Sequence, residues 1–184
     1  MTPWAERLLR ELCASDARAR ALAEGLTYGQ LNWRPTRRSW SIGQCLDHLC
    51  VASRVYGAAI AAALERQPRT PVEAITPGWF GRTFVTKYTE PVPRVRRIPA
   101  PDKIRPVREV DLAVLDRFHR SNEESRALVR RAADYDVNRL RFVNPFVPFV
   151  RFSVGTGLEI ISAHERRHLL QAERVKTSAG FPRF

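Results

Sequence analysis

The segment SVGTGLEIISAHERRHLLQAERV, Ser153 to Val175, decides how the chain is read, because its apolar residues and its two histidines share one helical period. Gly157, Ile161, His164, His168, Gln171 and Val175 recur at spacings of three and four, so they lie along one face of an α-helix. Positions four apart differ by about 40° around the axis, which sets the imidazoles of His164 and His168 side by side. That face is expected to point inward, and imidazoles turned toward an apolar interior are costly unless something engages them. H-x-x-x-H on a helix offers two ligands at fixed separation, and imidazole is the commonest metal-binding side chain. The pair is therefore expected to chelate a metal.

HERRH also spells H-E-x-x-H, the signature of zinc proteases. The rest of that signature is missing. Where a distal glutamate completes such sites it lies well beyond the second histidine, and no glutamate occurs between Glu173 and Phe184. In the longer form H-E-x-x-H-x-x-G-x-x-H, Gln171 and Arg174 stand at the glycine and third-histidine positions. The likeness to a protease motif is accidental, and a third ligand has to come from elsewhere in the chain.

Working outward, three more segments carry the same periodicity. Trp4 to about Leu26 repeats Ala5, Leu8, Leu9, Leu12, Ala19, Leu22, Ala23 and Leu26 at helical spacing. A second helix is expected from Ser41 to about Arg66, striped by Ile42, Cys45, Leu49, Ala52, Tyr56, Ala59, Ile60 and Ala63 and capped by Ser41 or Ser39. A third is expected from about Glu109 to Asp134, with Leu112, Leu115, Phe118, Val129 and Ala132 inward. The fourth is the opening segment, preceded by the proline-punctuated run NPFVPFVRF. Residues 27–40 read as a connection.

No segment alternates well enough to require a sheet, so the expected fold is all-α: a four-helix bundle with a long crossover connection between helices two and three. Residues 1–184 suit a single domain. The connection, residues 67–108, carries eight prolines, and its centre, GWFGRTFVTKY (78–88), is aromatic enough to pack as a flap with a short helix over one end of the bundle.

Charge and composition narrow the function classes. Of 31 basic residues 28 are arginine, against 19 acids, for a net charge of +12. These bases are scattered, and no zinc-finger, RNP or helix-turn-helix pattern organises them, so nucleic acid is not an expected partner. No apolar run approaches the roughly 20 residues of a membrane span; GAAIAAAL (57–64) is far shorter. The opening MTPWAERLLREL lacks the basic start and apolar middle of a secretory signal, and three unevenly placed cysteines suggest no disulfide framework. A cytoplasmic location with free thiols is expected.

His48, in SWSIGQCLDHL on the second helix, is the best third ligand, since it borders that helix's apolar stripe and can face the core. His119 follows Phe118 in the polar run HRSNEES and is a weaker candidate. Cys45 shares a flank with His48 but suits the role of a small buried hydrophobe.

Two blocks, LNWRPTRRSWSIGQCLDHL (31–49) and FVPFVRFSVGTGLEIISAHERRHLLQAERV (146–175), resemble the DinB/YfiT-like superfamily of metal-dependent enzymes. The matching motifs are W-S-x-x-Q-x-x-x-H-L on the second helix and H-x-x-R-H-x-x-Q on the fourth. The resemblance implies a bundle, often dimeric, in which His48, His164 and His168 hold nickel, zinc or another divalent ion, with Trp40 and Ser41 opening the second helix. It implies chemistry on a small-molecule substrate, in some relatives with a low-molecular-weight thiol. Residues 67–108 match the family only in position.

Three neutral imidazoles leave a divalent ion with an open coordination position, the mark of a catalytic rather than a structural site. Water or a thiol there would lose its proton near neutral pH, as in a hydrolase or a thiol transferase. Gln44 and Gln171, each one turn from a histidine, are candidate catalytic residues that orient ligand or substrate. Glu165 is a candidate base, Asp47 a neighbour of His48, and Arg166 and Arg167 candidates for steering an anion. The alternative is a metal-binding or interaction bundle without catalysis.

Overall fold

The computed structural model of the chain describes residues 1–86, 101–147 and 149–183. Within these the protein is mostly helical, and the all-α expectation is met in its four long helices: α1 (Pro3–Ala23), α3 (Ile42–Ala63), α5 (Val114–Ala132) and α6 (Val154–Lys176). Shorter helices α2 (Tyr28–Asn32) and α4 (Trp79–Phe84), a 3-10 turn at Asp102–Ile104 and a ribbon of β1 (Arg141–Val143) and β2 (Arg151–Ser153) complete it. No helix among the described residues is long and apolar enough to cross a membrane.

Contacts between named residues fix the helix directions. Arg7 meets Glu159 and Arg18 meets Glu173, so α1 and α6 run the same way. Leu12 meets Asn122 while Asp16, further along, meets the earlier His119, so α5 runs against α1. Asp47 approaches Arg117 and Gly57 approaches Leu128, so α3 runs with α5 and against α6.

The apolar interior falls into two clusters. One gathers Leu8 and Leu12 of α1, Tyr56 and Ile60 of α3, Val129 of α5 and Leu158 and Ile161 of α6, with Phe142 and Phe152 of the ribbon. The other gathers Leu22, Ile42, Leu46, Leu49, Phe118, Leu169 and Val175. Between these clusters each long helix carries buried polar residues: Ser15, Ser53, Asn122, Ser125, Ser162 and Glu165. A polar layer of this kind is stable only while its members hydrogen-bond one another.

The differences from the sequence expectation are local. Leu112 is 57% exposed rather than inward, because α5 starts at Val114 and it is Val114 and Phe118 that enter the core. The expected first helix ends at Ala23, before Gly25, whose φ of 76° breaks it. Thr27 and Gln30 form a capping box that opens α2 inside the expected connection. The run before α6 is a hairpin: Phe142 pairs with Phe152, and both rings turn into the core. Strands of three residues are too short for alternation to show. Of the expected flap, Trp79–Phe84 is the short helix α4, and Val72, Ile75, Phe84 and Val85 pack on the first cluster; residues 87–100 lie outside the described residues.

Gly157 lets the ribbon close on the helices. A Cβ there would lie 2.6 Å from Phe142 Cε1 and 2.9 Å from Ile60 Cδ1, both in the packed core. Gly157→Ala is expected to cost about 1–3 kcal/mol of stability through overpacking. Urea denaturation of the two proteins checks this, and an unchanged midpoint would contradict the packing described.

Candidate metal centre

The antiparallel contact of α3 with α6 sets His48 against His164 and His168. Where α3 begins is fixed by a capping box, in which Ser41 Oγ accepts from Gln44 N and Gln44 Oε1 accepts from Ser41 N, both at 3.1 Å. Ser41, not Ser39, is the cap. Among the described residues the three histidines form a group whose ligand nitrogens all lie within 4.8 Å of one another. His48 and His168 are buried and His164 is partly exposed.

Hydrogen bonds set the direction in which two of the rings present their lone pairs. His48 Nδ1 lies 2.6 Å from the carbonyl oxygen of Ile104. A carbonyl only accepts, so Nδ1 carries the proton and Nε2 the lone pair. His168 Nδ1 lies 3.0 Å from Gln171 Oε1 and donates in the same sense. His48 Nε2 and His164 Nε2 are 3.2 Å apart. Two nitrogens bound to one tetrahedral zinc at 2.0–2.1 Å would be separated by about 3.3 Å, so this pair fits a shared ion.

Electrostatics keep the group in the ligating form. Burial holds all three imidazoles below the ordinary range, and His48 further disfavours a charge on His164 and, with His164, on His168. The Arg167 guanidinium adds to the effect on His164 and His168, and the Ile104 hydrogen bond opposes it at His48. Neutral imidazole is the state that binds metal. Trp40 walls the group, its ring 4.7 Å from that of His48 and stacked at 5.5 Å on His168.

The remaining candidates are placed as follows. Gln171 touches the group, through His168. Gln44 does not: beyond the cap, its Nε2 donates to the carbonyls of Val107 at 3.0 Å and Arg108 at 3.2 Å, so its amide holds backbone rather than a ligand. Asp47 accepts from Val107 N. Arg166 binds Glu11 and Ser162 on the α1 side. His119 donates to Asp16, which also pairs with Arg126. Cys45 is fully buried and its thiol is pushed well above the ordinary range; the Cys50 thiol is pushed up to about 12 by burial first of all.

Glu165, the candidate base, is placed apart from the three imidazoles. Successive helical residues turn by about 100°, so the neighbour of a core-facing histidine looks elsewhere. Glu165 sits in the polar layer, 1% exposed, bonded to Ser15 and 3.4 Å from Asn122 Nδ2. Its carboxyl oxygens are not in the converging group.

Two contributors escaped the sequence reading. The Ile104 carbonyl belongs to main chain and leaves no trace in residue type. Trp40 was legible only as the residue before the cap, although its place one step ahead of a capped helix bearing His48 sets it beside that ring.

A family model described as the DinB superfamily matches residues 11–172. No curated protein and no solved structure matches the chain.

The burial of Glu165 has a consequence for stability. Desolvation is the main cause that raises its carboxyl from 4.5 to about 8, with Asp16 adding and Ser15, Arg126 and Arg166 opposing. Between those values the unfolded chain has lost a proton that the folded chain keeps, so rising pH weakens the fold through this group. Glu165→Gln keeps the shape without the titration. Its stability relative to the wild type is expected to rise between about pH 5 and about pH 8, measured by urea denaturation with a chelator present. A difference that stays flat with pH would contradict the placement.

Proposed function

The chain belongs to the DinB superfamily, and from that membership and the three convergent imidazoles we propose a metal-dependent enzyme of the hydrolase or thiol S-transferase type. His48, His164 and His168 would hold a divalent ion, nickel or zinc, and the architecture would be a four-helix bundle whose connection 67–108 crosses from α3 to α5. When bound, such an ion supplies a Lewis acid with an open position at which water or a low-molecular-weight thiol is activated.

The observation that carries this reading is the commitment of the Nδ1 protons. With His48 donating to Ile104 and His168 donating to Gln171, both Nε2 lone pairs are left for a common centre. Three imidazoles bring no negative charge, which suits an activated, open site better than a closed structural one. The partial exposure of His164 gives the side from which a small substrate would enter. Arg167, whose charge is felt at His164 and His168, would attract an anionic substrate or thiolate there. Trp40 lines the site with its ring against His48 and His168. We propose further that the protein works in the cytoplasm as a dimer.

Purified protein is expected to bind about one equivalent of zinc or nickel per chain. Replacing His48 or His168 by alanine should weaken binding by more than about a hundredfold, and Gln171→Leu, which removes only an outer partner, by about tenfold. Competition with a chromophoric chelator measures all three. Loss of an electrophile in the presence of metal and a small thiol, or hydrolysis of an ester or amide panel, would establish catalysis. Tight binding without turnover would support the alternative, a bundle that binds metal without catalysis; no binding would end the metal reading.

A further inference from the structure

Four positions on one side of α3, 43, 44, 47 and 48, are devoted to one stretch of backbone, residues 104–110. Gly43 allows the approach, since a Cβ there would lie 3.1 Å from Val110 Cβ and 3.0 Å from Leu31 Cγ. Gln44 donates to the carbonyls of Val107 and Arg108. Asp47 accepts from Val107 N at 3.2 Å. His48 donates to the Ile104 carbonyl at 2.6 Å. From α2, Asn32 closes the far end by accepting from Val110 N and donating to Val110 O, both at 2.8 Å. Ile104 and Val110 are buried while the residues between them are largely exposed, so the stretch is a strap held at two ends and at its middle.

Resting on the reading of His48, His164 and His168 as a metal centre, we infer that residues 104–110 form a strap whose docking is coupled to metal occupancy through the single imidazole of His48. One ring joins the two events. Its Nε2 faces the other histidines and its Nδ1 faces the strap. An ion on Nε2 withdraws electron density from the ring and fixes the proton on Nδ1, which strengthens the bond to Ile104. A docked strap in turn holds the ring in the tautomer and orientation that the ion requires. Coupling of this kind is reciprocal, so the factor by which metal stabilises the strap equals the factor by which the strap tightens metal. The bond from His168 to Gln171 has no such reach, since both residues sit on α6.

Hydrogen exchange read by mass spectrometry over residues 103–110, with and without zinc, tests the coupling on the intact chain. Zinc is expected to slow exchange at Val107 and Val110 by about tenfold. Two variants leave the ligands untouched. Gln44→Glu keeps a side-chain acceptor for Ser41 N, and so the cap, but has no proton to give Val107 and Arg108. Asn32→Ala releases Val110. Each is expected to weaken zinc binding by about tenfold and to speed strap exchange. For Gln44→Glu this runs against the Coulomb attraction of an added carboxylate, so weaker binding reports the strap.

Zinc that binds with His48-dependent affinity but leaves exchange over 104–110 unchanged, with Asn32→Ala within about twofold of the wild type, would overturn the coupling and leave the metal centre standing. Failure of the wild type to bind zinc or nickel would overturn both. If Asn32→Ala does not fold, the exchange measurement on the wild type decides alone.

Discussion

Three uncharged imidazoles, their ligand nitrogens within 4.8 Å of one another where α3 crosses α6, are the constraint on which the rest of the structure depends. A helical interior tolerates such a group only if each ring nitrogen has a use. Two of the outer nitrogens are engaged by a main-chain carbonyl and a glutamine amide, and the Nε2 atoms of His48 and His164 face each other. Left without those partners, the rings would cost more in lost hydration than their packing returns. The i, i+4 spacing supplies two of them on one helix, and the capping box at Ser41 and Gln44 fixes the start of the helix that delivers the third.

The division of the core follows from the same need for register. Apolar side chains alone would let α1 slide along α6 by a helical turn at modest cost, since one leucine contact resembles another. The polar layer does not permit this. Glu165 has to meet Ser15 and Asn122, and Glu11 has to meet Ser162 and Arg166. A shift of one turn would leave a buried carboxyl without partners, which costs far more than an imperfect apolar contact. The layer thus holds α1, α5 and α6 at one axial alignment.

Much of this is legible in the sequence for a definite reason. Long amphipathic helices announce themselves by period, and a pair such as His164 and His168 states its own geometry because the helix is rigid between them. His48 could be matched to the pair because it borders an apolar stripe on another long helix. What was not legible has a different origin. Leu112 fits the period of α5 but precedes its first turn, and periodicity does not locate ends. The ribbon of residues 141–143 and 151–153 is too short to alternate. Glu165 sits in a motif whose proteolytic form makes it a base, yet a buried layer elsewhere in the molecule claims it. Gln44 belongs to a motif as well, and its amide is consumed by a cap and by two carbonyls.

The two outer partners of the imidazoles differ in kind, and the difference shapes what each can transmit. Gln171 lies three residues from His168 on the same helix, so that bond forms whenever the helix forms and responds to nothing beyond it. Ile104 lies 56 residues from His48, and its carbonyl reaches the ring only if the chain between α3 and α5 has returned to the right place. Closing a loop of that length carries an entropic cost that grows slowly with length, so several weak bonds suffice to hold it. The structure supplies them over residues 107–110, through Gln44, Asp47 and Asn32, with Gly43 clearing the space. Orientation of the His48 ring is therefore a property of the connection as much as of α3, and a change along that strap reaches the three imidazoles through one ring nitrogen.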